Sequence, residues 1–188
     1  MTPLAEWVLT AALTFAPIET RPQFKGYEET REEAFDRYIS IANDIAEAAE
    51  GDAKTPAGAK QRAALLLAVA VGESGLALDV DQGPCYRQGG FKTRCDGGTS
   101  FTIWQMKHAI VDGELVKGKA LEGLGNRKKA ARGALRAILG SLGMCKKLPA
   151  EDRLSGYGVG RCLEGNKSVR ARWSLYQRVL THTKETKS

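Results

Sequence analysis

The chain has 188 residues and a formal net charge of +6, which suit a single globular domain with an anionic partner. Hydrophobic residues make up 43% and charged residues 27% of the sequence, as in ordinary soluble proteins, and no apolar stretch is long enough to span a membrane. Aromatic residues are few and long alternations of Val, Ile and Thr are missing, so the composition predicts a mainly α-helical fold.

The N-terminal region contains two predicted helices. Residues 3–15 form a short apolar helix, which Pro17 ends because proline cannot continue a helix. Thr30 and Glu33 have the spacing of a capping box, in which each side chain accepts a hydrogen bond from the other residue's backbone N–H. Apolar residues then recur every three or four positions until Gly51, so this pattern predicts a second, amphipathic helix.

A third predicted helix is apolar on nearly all sides and ends in an acidic residue. Thr55 followed by Pro56 is a start signal, an N-cap with proline at the first helical position. Residues 65–71 form an apolar run that is too short for a membrane span and too apolar for a surface helix. The helix is therefore predicted to lie in the core, with Glu73 at its C-terminal end and Gly75 as its C-cap.

The position of Glu73 favours a raised pKa. Its carboxyl group lies near an apolar core and at the negative end of the helix dipole, and both effects favour the protonated form. A glutamate of this kind can act as a general acid near neutral pH. The alternative is an ordinary solvated glutamate at the end of a helix.

The second half of the chain is predicted to begin with an irregular segment and to continue with helices. Residues 76–100 are rich in glycine and contain two cysteines, so we expect a loop or a small β-hairpin there. Apolar character resumes at residues 101–106, which predicts a short helix. The remaining predicted helices cover residues 126–144, 149–159 and 167–184.

The chain contains four cysteines, an even number that is compatible with two disulfides in an oxidising compartment. The simplest pairing is Cys85–Cys95 with Cys145–Cys162, in which each bridge closes a short glycine-containing segment. No pair has the spacing of two to four residues that zinc sites favour. Four free thiols remain a third alternative.

Three short segments, read in chain order, carry a resemblance. They are Gly-Glu-Ser-Gly at 72–75, Ser-Phe-Thr-Ile-Trp-Gln-Met at 100–106 and Leu-Ser-Gly-Tyr-Gly-Val-Gly at 154–160. Together they resemble the signature of the lytic transglycosylases (SLT type) and goose-type lysozymes of the lysozyme-like superfamily. That signature is Glu-Ser at the end of a buried helix, then Ser-x-Gly-Leu-Met-Gln-Ile, then Ala-Tyr-Asn-Ala-Gly.

The resemblance implies a lysozyme-like fold with a buried central helix and a small loop or β-hairpin region at about 76–100. A single catalytic domain would cover residues 1–188, with N-terminal helices in 1–51 and a motif-bearing core in 55–184. It also implies a role for individual residues. These are Glu73 as catalytic residue, Ser74 as its support, and Ser100, Gln105, Tyr157 and Trp104 as substrate-binding residues.

The activity that the resemblance implies is cleavage of the β-1,4 bond between N-acetylmuramic acid and N-acetylglucosamine in peptidoglycan. Protonated Glu73 would donate its proton to the glycosidic oxygen. In a transglycosylase the same carboxylate then acts as a base on the muramyl 6-hydroxyl and gives an anhydro product. A hydrolase would need a second carboxylate, for which Asp79, Asp81 and Asp96 are the candidates. Each of these is otherwise a solvated turn aspartate.

The sequence departs from the family pattern at two positions. Thr102 stands where the family has glycine, and Gly158 stands where it has the asparagine that follows the tyrosine. In the family, that asparagine helps to hold the sugar's N-acetyl group. Both departures also favour the alternative of a catalytically silent lysozyme-fold module that binds glycan or has a structural role in a cell-wall-spanning or phage assembly.

The expected partner is the glycan strand of peptidoglycan, and the expected location is extracytoplasmic, although no clear signal peptide is present. Membership of a phage virion or of a secretion assembly stays open. A basic nucleic-acid-binding domain would have the charge, but no recognisable reading motif is present, so no nucleic acid is expected. His108 and His182 have no partners at metal-ligand spacing, and we expect neither a metal nor a cofactor.

Overall fold

The structure, a computed structural model, describes residues 1–21, 23–24, 26–51, 53–83 and 98–182. These residues are mainly helical and include one two-stranded sheet, so the expected fold class is confirmed at this level. The helices and strands are α1 (Pro3–Phe15), α2 (Arg31–Glu50), α3 (Pro56–Ser74), α4 (Leu78–Gln82), β1 (His108–Val111), β2 (Glu114–Lys117), α5 (Arg127–Met144), α6 (Ser155–Val159) and α7 (Lys167–Leu180).

Local capping signals set the start of α2 and both ends of α3, as the sequence predicts. The capping box of Thr30 and Glu33 is present at the start of α2. The Thr55 side chain accepts a hydrogen bond from the N–H of Gly58 at 3.1 Å and begins α3. Gly75 ends α3 in the left-handed conformation, with φ of 56°, where glycine avoids the penalty of a Cβ atom. The end of α3, and with it the position of Glu73, is therefore fixed by local sequence.

The centre of the core is α3, as its apolar sequence predicts. Residues 63–70 of this helix are buried. Helices α1, α2, α5 and α7 all pack against it, so the side chains on every side of the helix are removed from water. A carboxylate at the end of such a helix lies where the core meets the surface.

The hairpin lies outside the segment predicted for it. Residues 78–82 of that segment form α4, and residues 84–97 lie outside the described residues. The observed hairpin pairs β1 with β2 in antiparallel register, with Ala109 opposite Val116. Asp112 and Gly113 connect the strands, both with positive φ, as in the two-residue Asp-Gly turn that favours tight hairpins. The Asp-Gly pair is therefore a local signal for this hairpin that the prediction for residues 76–100 did not include, and each strand has only four residues.

The disulfide between Cys145 and Cys162 is present, with a Cα–Cα distance of 5.3 Å. It joins the C-terminal end of α5 to the segment that follows α6, and so restrains α6 from both sides. The predicted Cys85–Cys95 bridge lies outside the described residues. Within the part of the chain that the structure describes, no helix has the length and hydropathy of a membrane span.

Candidate functional site

Glu73 lies in the last turn of α3 and forms an ion pair with an arginine from the C-terminal helix. The Nη2 atom of Arg172 in α7 lies 2.8 Å from Oε1 of Glu73. The side chains of Arg172 and Glu73 are 14% and 16% exposed, respectively, so most of the pair is shielded from water. Helix packing between α3 and α7 therefore brings together a carboxylate and a guanidinium that are far apart in sequence.

The pKa of Glu73 is raised above the ordinary value for glutamate. Burial is the largest cause, because it disfavours the charged carboxylate. The positive charge of Arg172 and its hydrogen bond act in the opposite direction and lower the pKa. Burial outweighs the ion pair, so the net direction is that of a carboxyl group suited to donating a proton.

The second motif forms a tight turn, and the prediction of a short helix at residues 101–106 was wrong. The backbones of Phe101 and Met106 are paired, with N–H to carbonyl distances of 3.1 and 2.8 Å. Thr102 and Gln105 have φ of 65° and 51°, in the left-handed region that a helix does not use. Thr102, which stands where the family has glycine, therefore has a left-handed backbone conformation. The Gln105 side chain donates to the carbonyl oxygen of Thr102 at 2.9 Å, which holds it against its own turn.

Tyr157 connects the second and third motifs. Its hydroxyl donates a short hydrogen bond to the carbonyl oxygen of Trp104, and its backbone N–H donates to Oγ of Ser141 in α5 at 3.0 Å. Burial and the nearby charge of Glu73 raise the pKa of the Tyr157 hydroxyl well above its usual range. The hydroxyl therefore stays protonated and serves as a fixed donor from α6 to the 101–106 turn, while the residue itself lines the cleft.

A cleft of about 700 Å³ brings these residues together. It contains residues from all three sequence motifs, which come from the end of α3, the 101–106 turn and α6. The described residues that line it are Glu73, Ser100, Gln105, Met106, Lys107, His108, Ala137, Gly156, Tyr157, Gly158, Val159 and Gly160. Four of the sequence-predicted site residues, Glu73, Ser100, Gln105 and Tyr157, are therefore neighbours around one space that is large enough for a sugar unit.

Two other predicted residues have different roles. The Ser74 hydroxyl donates to the carbonyl oxygen of Ala70 at 2.8 Å and accepts from the N–H of Leu76 at 3.1 Å, so it ends the helix and does not orient the Glu73 carboxyl group. Trp104 is fully buried, and its Nε1 donates to the carbonyl oxygen of Leu66 at 3.1 Å. It is a core residue beneath the turn and cannot stack on a sugar ring.

The proposed second carboxylates do not join Glu73. Asp81 is buried between two arginines, with Oδ1 2.8 Å from Nε of Arg127 and Oδ2 3.2 Å from Nη1 of Arg37. Asp79 is buried as well and does not line the cleft. Asp79 and Asp81 are therefore residues of the interior. They are neither solvated turn aspartates nor candidate bases in the cleft, as the sequence had suggested. Asp96 lies outside the described residues.

Arg172 is the main feature of the site that the motifs did not reveal. Nothing in the spacing of the three motifs points to it. A weak signal is present in α7, because Arg172 occurs three residues after Val169 and three before Leu175, both of which are buried. An arginine on the apolar side of a helix is expected to have a specific partner. Lys107 and His108, which also line the cleft, were not predicted as site residues either.

Comparisons with protein families, with curated proteins and with solved structures find no match to this chain. The resemblance to lytic transglycosylases and goose-type lysozymes therefore depends on the three motifs and on the cleft that their residues line. Among the described residues, no three His, Cys, Asp or Glu side chains are grouped as a metal site would require.

Proposed function

We propose that this protein is a peptidoglycan-cleaving muramidase or lytic transglycosylase that acts on the MurNAc-β-1,4-GlcNAc bond, with Glu73 as general acid and base. The observation that carries the proposal is the cleft, because Glu73, Ser100, Gln105 and Tyr157 come from three separate motifs and line the same space. A chance resemblance between short motifs gives no reason for their residues to meet.

The electrostatics of Glu73 support the role of a general acid. A carboxyl group must hold its proton until the glycosidic oxygen is in place, and burial raises the pKa of Glu73 in the direction that this step needs. As the bond breaks through an oxocarbenium-like state, the proton passes to the leaving oxygen and Glu73 becomes a carboxylate. Arg172, 2.8 Å away, stabilises that negative charge.

The fate of the sugar distinguishes two reactions. In the transglycosylase route, the Glu73 carboxylate takes the proton of the muramyl 6-hydroxyl, whose oxygen closes a 1,6-anhydro ring, so one carboxylate serves both steps. In the hydrolase route a water molecule attacks, and a second carboxylate activates it or forms the glycosyl intermediate. Of the candidate second carboxylates, the two that the structure describes, Asp79 and Asp81, are buried and do not line the cleft, which favours the single-carboxylate route.

The test is a zymogram with purified peptidoglycan, in which wild type is compared with Glu73→Gln. The substitution keeps the shape of the side chain and removes the transferable proton, and we expect the rate to fall by about 10²- to 10⁴-fold, the usual contribution of a general acid. Glu114→Gln, a change of an exposed glutamate in β2, is the matched control and should retain full activity. Equal clearing by wild type and Glu73→Gln would refute the proposal that this protein cleaves peptidoglycan with Glu73 as its general acid. Mass spectrometry of the released muropeptides then separates the routes, because an anhydro product is lighter than a hydrolysed one by one water.

A catalytically silent glycan-binding module is the second candidate, and the ion pair of Glu73 is the observation that favours it. The arginine lowers the pKa of the carboxyl group and so acts in favour of its charged form, and Gly158 lacks the family's side chain for the N-acetyl group. Such a module would still sediment with insoluble peptidoglycan, and it would do so without releasing muropeptides. A cell-wall partner also suits the net charge of +6 and an extracytoplasmic location in a wall, secretion or phage assembly.

A further inference from the structure

We propose that Arg172 is a positioning residue for Glu73, and that Gly72 and Gly158 provide the space through which its side chain reaches the carboxylate. The contribution of Arg172 to the reaction rests on the proposed function. Its effect on the ionisation and orientation of Glu73 does not, and can be measured separately.

The guanidinium of Arg172 is held by Glu73 and by the surrounding packing. Its Nη2 atom contacts Oε1 of Glu73 at 2.8 Å, and the arginine side chain is only 14% exposed. Its Nε atom is buried and has no hydrogen-bond partner within the described residues. Among the described residues, Glu73 is the acid paired with this largely buried arginine, so Arg172 is expected to fix the position of its partner, because a charged contact in a partly dry site is strong and directional.

Two glycines border the arginine side chain along its length. A Cβ atom at Gly72 would lie 3.0 Å from Cγ of Arg172 and 3.7 Å from its Cδ. A Cβ atom at Gly158 would lie 3.2 Å from its Nη1 and 3.6 Å from Cγ2 of Val169. Both distances to the arginine are tighter than ordinary van der Waals contacts, so any larger residue at either position has to move it.

Backbone conformation does not explain why residues 72 and 158 are glycine. Neither of them is among the residues with positive φ, and both lie in helices, where glycine is less favourable than alanine. The space that Arg172 needs does explain them. Gly158 stands where the resembling family has asparagine, and the guanidinium of Arg172 occupies the space next to its Cα atom. The loss of that side chain and the presence of the arginine are therefore parts of one arrangement.

Other charged and titratable groups near Glu73 do not replace Arg172. Tyr157 faces it from α6, and its hydroxyl is engaged by the carbonyl oxygen of Trp104. Lys107 and His108 also line the cleft, and neither of them is among the causes of the Glu73 pKa shift. The pKa of Glu73 responds to burial and to Arg172. In this arrangement Arg172 limits how far burial raises the pKa, orients the carboxyl group toward the cleft and stabilises the carboxylate that forms when the proton leaves.

The direct test is a titration of the Glu73 carboxyl group by ¹³C NMR, which does not depend on activity. Arg172→Gln removes the positive charge, so the pKa of Glu73 should rise above the wild-type value. Arg172→Lys keeps a positive charge and should remain closer to wild type. Arg178→Gln changes an exposed arginine of the same helix and should have no effect. Gly158→Asn should shift the pKa in the same direction as Arg172→Gln, because its side chain displaces the guanidinium.

The kinetic test follows the rate of peptidoglycan cleavage against pH. In Arg172→Gln the alkaline limb of the profile should move to higher pH, and kcat should fall by about 10- to 100-fold because the acid is misplaced. KM should change little, and Arg172→Lys should restore part of the rate. Gly158→Ala makes a smaller intrusion and gives a folded variant with an intermediate effect if Arg172→Gln does not fold.

The outcomes separate the two proposals. A Glu73 pKa that is the same in wild type and in folded Arg172→Gln or Gly158→Asn would overturn the positioning role. An equal shift in Arg178→Gln would also overturn it, since the effect would then be non-specific. If the pKa shifts as expected while wild type releases no muropeptides, the positioning role of Arg172 is supported and the proposed peptidoglycan-cleaving activity is refuted.

Discussion

Asp81→Asn tests the difference between a structural and a catalytic aspartate. The resemblance makes Asp81 a candidate second carboxylate, whereas the structure buries it between Arg37 and Arg127. The substitution keeps the size of the side chain and removes its charge. Because the two arginines stay in the interior, we expect Asp81→Asn to lower the free energy of unfolding strongly.

The size of the effect follows from the contacts that remain. Removing one partner of a buried ion pair costs about 3–5 kcal/mol. Each arginine keeps another acid, since Arg37 also contacts Glu29 at 2.7 Å and Arg127 contacts Asp44 at 3.3 Å. The lower end, about 3 kcal/mol, is therefore expected. For a chain of this size, that change lowers Tm by about 6–12 °C.

The assay is chemical denaturation followed by far-UV circular dichroism, with activity measured on the same preparations well below Tm. Asp36→Asn, an exposed aspartate that precedes Arg37 in α2, is the control and should remain within about 0.5 kcal/mol of wild type. We expect Asp81→Asn to be much less stable and, while folded, to retain activity. A variant as stable as wild type but inactive would refute the structural role and make Asp81 the catalytic partner of Glu73.

Three further predictions follow from single features of the fold. Replacing Cys145 and Cys162 by alanine together should lower stability by about 3 kcal/mol in denaturant unfolding, the loop-entropy value for their separation of 17 residues; an unchanged midpoint would contradict it. Thr102→Gly should be more stable than Thr102→Ala by about 1–2 kcal/mol, because φ is 65° and only glycine avoids the Cβ penalty; thermal unfolding that ranks alanine higher would reject this. The pKa of Glu73 is raised in the folded state, so wild type should lose stability as pH rises from the ordinary glutamate pKa to the raised one, whereas Glu73→Gln should not. The free energy of unfolding of Glu73→Gln relative to wild type should therefore increase over this interval. A difference in unfolding free energy that does not change with pH would show that the pKa is not raised.

The parts of the fold that the sequence predicts correctly depend on neighbouring residues. The capping box at Thr30 and the Thr55–Pro56 start signal act within one turn of their helices, so they can be recognised without tertiary structure. The apolar run in α3 and the left-handed Gly75 likewise place Glu73 at the end of a buried helix. For that reason the carboxylate and the direction of its pKa shift could be predicted.

The errors arise where tertiary contacts decide. An apolar stretch at 101–106 is compatible with a short helix, but Thr102 and Gln105 adopt left-handed conformations and the turn closes through backbone hydrogen bonds. Trp104 carries an N–H group that could have faced a sugar, and only the packed structure shows that it donates to a carbonyl in α3. In the sequence Asp81 resembles a turn aspartate, and only the tertiary structure shows that it pairs with Arg37 of α2 and Arg127 of α5.

The departure at Gly158 shows why a motif cannot be interpreted one residue at a time. Considered alone, glycine in place of the asparagine of the resembling family argues for an altered cleft. In the structure, a Cβ atom at this position would lie 3.2 Å from a guanidinium nitrogen of Arg172, which an asparagine side chain would displace, and the same guanidinium pairs with Glu73. Introducing asparagine alone should therefore harm the site, because the two side chains compete for the same volume. The double variant Gly158→Asn with Arg172→Gln removes this competition. If it recovers activity that Gly158→Asn lacks, the two positions are coupled through space, and if the losses simply add, they are independent.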